Sequence, residues 1–157
     1  MREILFRGKR IVNNKWVEGG FHVWETRQPC AVGADRLKPE EIKYMITTNS
    51  FADWNMPRSM QAQEVIPETV GQYTGLKDKN GKRIFEGDIV HILGNQDVED
   101  WKNVDYNALI AFIDGGFCAI DGTIEEHAFR RYALARMDFD LEVIGNIHDN
   151  SELLESS

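Results

Sequence analysis

A stretch near the middle of the chain constrains the fold most, because short β-prone runs alternate there with strong turn signals. Asn80-Gly81 is a dipeptide that tight β-hairpins favour, since both residues tolerate positive φ angles. The flanking runs, 69–74 and 83–85, contain β-branched and aromatic residues. A further turn leads into the apolar run 89–93. This pattern predicts consecutive antiparallel strands.

The rest of the chain shows similar signals. Strand-like runs occupy 4–24, where Asn13-Asn14 and then Gly19-Gly20 separate three strand candidates. They also occupy 107–120, where Asp114-Gly115-Gly116 forms the turn of a hairpin. Residues 42–48 fit a helix or a strand, and their β-branched and aromatic content favours the strand. One helical pattern covers 123–137, where a capping-box spacing precedes apolar residues on one face. We therefore expect a mainly β protein, with short strands closing into a small barrel, an N-terminal β-hairpin region and one late helix.

Length and composition bound the organisation and the environment. A chain of 157 residues suffices for one domain or for two small ones. We expect an N-terminal β-hairpin region over 1–66 and the barrel region over 67–157. No apolar run reaches the roughly 18–20 residues of a membrane helix, and no signal peptide is recognisable. We expect a cytoplasmic protein that does not enter a membrane.

The charge is unevenly distributed along the chain. The formal net charge is −8, and residues 95–157 alone hold four basic and fourteen acidic residues. Because phosphate neutralisation needs a basic surface, this balance disfavours nucleic-acid binding. Segment 95–157 is instead a candidate face for a basic partner, although a solvated surface that keeps the protein soluble explains the same excess.

Motifs for catalysis, metal ions or nucleotides are not recognisable. Residues 75–82 superficially resemble a phosphate-binding loop, but the glycine spacing is wrong and Arg83 replaces the required Ser or Thr. The four histidines are scattered, and two cysteines make neither a zinc site nor a disulfide framework. Glu86 and Asp88 could serve acid–base chemistry or hold a turn through backbone amides. We therefore predict no enzyme, with no catalytic residues, metal or cofactor.

Aromatic and basic residues on predicted strands form one candidate binding surface. Small β-barrels can present aromatic side chains to single-stranded nucleic acid beside basic groups. Core packing of the aromatic residues and a solvated hairpin account for the same pattern. The candidate binding residues are Trp16, Trp24, Tyr73, Lys77, Lys79, Lys82 and Arg83.

The segment 67–90, PETVGQYTGLKDKNGKRIFEGDIV, resembles the signature of the YopX family. Phe6-Arg7-Gly8-Lys9 followed by Trp16-Val17 is similar to the family's opening hairpin, and 142–150 is similar to its closing strand. These small proteins belong to phages and prophages of mostly Gram-positive bacteria. The resemblance implies a mainly β fold with an SH3-like barrel after Val70, and it brings no established activity or catalytic residue.

Three functions are compatible with the sequence. The first is a phage accessory protein that binds a host or phage protein. The second is a barrel that binds single-stranded nucleic acid, although the net charge disfavours it. The third is an enzyme whose cleft collects Glu86, Asp88 or a histidine. Self-association is also compatible with the sequence, since open sheet edges invite pairing.

Overall fold

The computed structural model describes residues 3–29, 36–49, 59–93, 105–121, 130–134 and 140–154. Within them the protein is mainly β, as predicted, and the helical elements are short 3₁₀ turns. The strands are β1 (Phe6–Lys9), β2 (Trp16–Glu25), β3 (Ile42–Asn49), β4 (Met60–Glu64), β5 (Gly71–Lys77), β6 (Arg83–Phe85), β7 (Asp88–Leu93), β8 (Asp105–Ile113), β9 (Gly116–Asp121), β10 (Arg130–Ala133) and β11 (Asp140–Asn146).

The strands form two antiparallel sheets, in the orders β4-β3-β2-β1-β5-β6 and β10-β9-β8-β7-β11. The chain divides into two compact units, residues 3–72 and 73–157. Strand β5 passes from one unit to the other. Its first residues, Gly71 and Gln72, pair with β1, and its later residues pair with β6.

The strands of the first unit pack around a small apolar core. Val17, Ile46 and Val65 are buried at its centre, and half-buried aromatic side chains pack around them. Arg10, just after β1, forms an antiparallel bridge with Val65, just after β4. The Ile11 amide donates to the Glu64 carbonyl at 3.1 Å across the same junction. These bonds bring together the ends of two strands that are not neighbours in the sheet order.

Gly19 lies inside β2, although the Gly19-Gly20 pair resembles a turn in the sequence. A Cβ atom at Gly19 would overlap the backbone carbonyl oxygen of Thr47 in β3. The absence of a side chain therefore allows β2 to pass from its pairing with β1 to its pairing with β3 without a break. The requirement at Gly19 is for space between two backbones, and the expected separation of two strands by Gly19-Gly20 is wrong, because β2 runs through both glycines.

The second unit is organised by hairpins whose turns were readable in the sequence. Asp114 (φ 52°) and Gly115 (φ 81°) connect β8 to β9 with two positive φ angles, as a type I′ turn requires. The inner face of the sheet β10-β9-β8-β7-β11 is apolar along β7, β8 and β11. The fully buried side chains of the core at this face are Val90, Ile92, Ala108, Ile110 and Ala119 of the sheet itself, together with Ile84 of β6.

Two features of the predicted architecture are not found. The late helix is wrong for Arg130–Ala133, which pairs with β9 as strand β10, and most of the remaining 123–137 segment lies outside the described residues. Apolar residues in so short a run fit either period, and pairing along β9 decides for the strand. The described strands also form no closed barrel. Strand β6 has three residues and pairs with β5 alone of the described strands, so the sheet order ends there and stays open. The SH3-like barrel is therefore not confirmed.

In the described part of the chain, no helix has the length and apolar character needed to cross a membrane.

Replacing Gly19 with alanine should destabilise the protein by about 2–3 kcal/mol, because the backbone of β3 must move to admit the added methyl group. Urea denaturation of the full chain would measure this loss. Gly116→Ala is the matched control, since no atom lies within 4 Å of the added Cβ there. Equal denaturation midpoints for the two variants would contradict the proposed role of Gly19.

Candidate functional site

Trp16 and Trp24 lie on the face of β2 opposite the core, as expected from the alternation of side chains along a strand. The guanidinium carbon of Arg7 lies 4.7 Å from the Trp16 ring centroid, and the Lys9 ammonium lies 5.3 Å from it. Both distances fall in the range of cation–π attraction. Trp24 is 49% exposed and lies opposite Lys43 of β3. The Trp16 ring is therefore in contact with basic side chains of the chain itself, whereas about half of Trp24 is exposed.

Tyr73 is part of the packing of the second unit. It is 5% exposed, and its ring centroid lies 5.5 Å from that of Phe85 in β6. The Arg83 guanidinium carbon lies 5.8 Å from the same ring. A base cannot stack on a ring that is already covered, so Tyr73 in this conformation offers no open platform.

One lysine of the basic hairpin between β5 and β6 forms a surface ion pair with the last strand. The Lys79 ammonium lies 2.6 Å from a carboxylate oxygen of Glu142 in β11. That hydrogen bond is the main reason why the pKa of Lys79 is raised and the pKa of Glu142 is lowered. Lys77, Lys79 and Lys82 are all exposed, and Lys77 is the register partner of Arg83.

Asp78 holds this hairpin against the last strand. Its Oδ1 accepts hydrogen bonds from the backbone amides of Asn80 (2.9 Å) and Lys82 (2.8 Å). Its Oδ2 accepts one from the amide of Val143 in β11 (3.1 Å). Burial alone would raise the pKa of the Asp78 carboxyl, but the three amide donors outweigh it, and the pKa is lowered. Asp78 therefore acts here as an ionised carboxylate with a structural role.

The seven candidate residues divide between the two units. Trp16 and Trp24 belong to the first, and Tyr73 belongs with the four basic residues to the second. Within the second unit the structure brings Tyr73 and Arg83 together. Their role in binding stays a prediction.

The first unit contains a groove of about 600 Å³ that no motif in the sequence predicts. It gathers residues from the turn after β1, from 37–42 and 44, and from the segment after β4. Its apolar lining includes Ile11, Leu37, Ile42, Tyr44 and Val65. Pockets of this volume accommodate ligands in many proteins.

Local contacts hold the walls of the groove in place. The short 3₁₀ turn Pro39–Glu41 forms one wall, and its proline occupies the first position of the turn. The Arg27 side chain hydrogen-bonds the Glu41 carboxylate and, ahead of the Lys38 backbone amide, lowers the pKa of that carboxyl. The Thr26 amide donates to the Glu41 carbonyl at 2.8 Å, which ties this wall to the end of β2.

The polar side chains of the groove are acidic. Glu40, Glu64 and Glu68 line it together with the apolar residues. Glu64 is half-buried and pairs with Lys43 at 3.0 Å, whereas Glu40 and Glu68 are exposed at the rim. The groove therefore combines an apolar floor with a negatively charged edge.

One sequence signal could have directed attention to this groove. Ile11 and Val12 are consecutive apolar residues beside the Asn13-Asn14 turn signal, and the structure leaves them 55% and 85% exposed. Two adjacent apolar residues in a solvent-facing turn are unusual enough to suggest a contact surface. The partners of Ile11 across the groove come from distant segments, which no local pattern reveals.

Asp88, which was considered for acid–base chemistry, is buried and holds a turn. Asp88 is 1% exposed, and its Oδ2 accepts the Phe85 amide at 2.7 Å, which is the turn-holding arrangement. Cys118 is half-buried, and Cys30 lies outside the described residues. The described residues contain no group of three or more His, Cys, Asp or Glu side chains suited to a metal ion.

Comparison with protein families supports the resemblance found in the signature segment 67–90. The family model described as "YopX protein" matches residues 20–155. The chain belongs to the YopX family. In this YopX protein the signature segment forms β5, β6 and the start of β7. The closing segment contacts it at several points, among them the bond between Asp78 and Val143, the Lys79–Glu142 ion pair and the Ile147 amide, which donates to the Gly87 carbonyl at 2.9 Å.

Among solved structures, the chain is similar to the crystal structure of protein EF1440 from Enterococcus faecalis. The sequences are 23% identical, the match covers 98% of this chain and 99% of that chain, and the TM-score is 0.45. No curated protein matches this YopX protein.

Asp78→Asn should destabilise this YopX protein by about 1–3 kcal/mol at neutral pH, because the uncharged amide offers only one acceptor oxygen to three backbone donors. The pKa of Asp78 is lowered in the folded state. Its contribution is therefore complete above the unfolded value of about 3.9 and is lost as the pH falls through the folded value.

Urea denaturation over a pH series would test this expectation. The difference between the wild type and Asp78→Asn should be constant near neutrality and should shrink below about pH 4, where the carboxyl of the unfolded chain takes up its proton while that of the folded chain stays ionised to lower pH. Asp140→Asn, which removes an exposed carboxylate at the start of β11, is the control. A stability difference that is absent at pH 7 or grows in acid would contradict the assigned role.

Proposed function

We propose that this chain is a phage- or prophage-encoded accessory protein that binds a protein partner in the host cytoplasm through the groove of its first unit. The observation that carries the proposal is the exposed apolar lining of that groove beside Ile11. Family membership supports the phage context.

Exposure and shape together support binding at this place. Isolated apolar side chains on a surface need no explanation, but Ile11 and Val12 adjoin a concave wall of further apolar residues. A partner that inserts an apolar side chain would remove this area from water, at about 25 cal/mol for each Å² buried. The groove also draws on residues within 37–44 and 64–68, for which the sequence suggested no function.

Single-stranded nucleic acid is the alternative ligand, and the geometry supports it less. Tyr73 is covered, Lys79 is paired with Glu142, and the net charge is −8. The feature in its favour is the first-unit sheet face that carries Trp16 and the exposed Trp24. Binding there would fall steeply as the salt concentration rises.

Affinity capture from host lysate, with and without nuclease, would test the proposal through Ile11→Glu. We expect a nuclease-resistant protein partner whose recovery falls at least about fivefold for this variant, because a charged group replaces an apolar contact. Ile4→Glu is the matched control, since Ile4 is 65% exposed in the same unit but does not line the groove.

Three results would contradict the proposal. A partner recovered equally with Ile11→Glu would place the contact elsewhere. A partner that disappears with nuclease would favour the nucleic-acid alternative. Recovery of this chain alone would replace the partner by a second copy of the protein.

A further inference from the structure

We infer that the partner enters the groove with a basic peptide segment, in which apolar side chains fill the floor and Lys or Arg side chains meet the acidic rim. This inference rests on the proposed protein-binding function and specifies the chemistry of the segment that is bound. It follows from the juxtaposition of an apolar wall with Glu40, Glu64 and Glu68.

The sign of the charge comes from the lining itself. Among the described residues, no Lys or Arg lines the groove, so all of its ionisable side chains other than the Tyr44 phenol are carboxylates. Glu64 already has a cation, Lys43, at 3.0 Å. Glu40 and Glu68 are exposed, and neither forms an ion pair with a described Lys or Arg. These two groups are available to a cationic ligand.

The position of the charges favours a peptide over a small polar molecule. Small-ligand sites fix their ligand with a few polar groups that converge inside the pocket. Here Val65 is buried in the floor and Tyr44 beside it is half-buried, while the unpaired carboxylates stand at the exposed edge. A ligand that satisfies both must be apolar inside and cationic outside. Lys and Arg beside apolar residues do this, because their long apolar stems carry the charge outward.

The volume is compatible with a short segment rather than with a whole protein surface. A groove of about 600 Å³ has room for only a few side chains. An alternating apolar and basic segment in extended conformation would direct its apolar side chains to one side and its basic ones to the other. The exposed Val12 would extend the apolar contact beyond the groove at the Ile11 end.

Fluorescence anisotropy with labelled synthetic peptides and the full-length protein would test the inference. The probe is a short peptide of alternating leucine and lysine. Its two controls replace every lysine with glutamate or every leucine with serine. We expect the leucine–lysine peptide to bind and both control peptides to bind at least about tenfold more weakly, because each lacks one half of the recognition.

Glu40→Gln combined with Glu68→Gln should weaken the leucine–lysine peptide by about three- to tenfold, as expected for two exposed ion pairs. The matched double variant is Asp140→Asn with Glu152→Gln, which changes the net charge equally at exposed residues that do not line the groove. It should leave the affinity nearly unchanged.

Each contrary result distinguishes this inference from the proposed function. Equal binding of the lysine and glutamate peptides would overturn the basic chemistry, and equal binding of the serine peptide would overturn the apolar half. Equal weakening by both double variants would show attraction to the overall charge instead of to the rim. In all three cases a captured protein that still depends on Ile11 would leave the proposed function standing, whereas loss of that dependence would remove both.

Discussion

Backbone amides where strands end must find hydrogen-bond partners, and both units depend on how that requirement is met. In the second unit the buried Asp78 carboxylate receives three amides, one of them from β11, across 65 residues of sequence. In the first unit the bridge between Arg10 and Val65 joins the ends of β1 and β4. Each arrangement fixes where a distant segment lies, and the apolar cores fill the space so defined.

The candidate groove is a consequence of the second of these arrangements. The bond from the Ile11 amide to the Glu64 carbonyl places an exposed apolar side chain beside the segment after β4. The Arg27–Glu41 pair then positions the 3₁₀ turn that forms another wall. The groove therefore requires no dedicated element: it lies where a strand junction and a turn meet.

The basic hairpin shows how a charge cluster can serve the fold. Lys79 forms an ion pair with Glu142, and the backbone amides of Asn80 and Lys82 donate to the carboxylate of Asp78 in the same loop. Much of what makes the YopX signature recognisable in sequence is therefore occupied with attaching the hairpin to the last strand. The family signature thus marks a structural junction, and the exposed apolar groove lies in the other unit.

The sequence by itself determined the β class and the positions of the tight turns. Asp114-Gly115 and Gly81 adopt the positive φ angles that their side chains, or the lack of one, permit, and that preference is local. The sequence could not determine that Gly19-Gly20 continues a strand, or that Arg130–Ala133 pairs with β9 rather than forming a helix. It also gave the candidate aromatic residues without showing that Tyr73 is buried. The tertiary structure decided these points and created the groove, because each depends on a partner strand or segment far away in sequence, whose position no local pattern specifies.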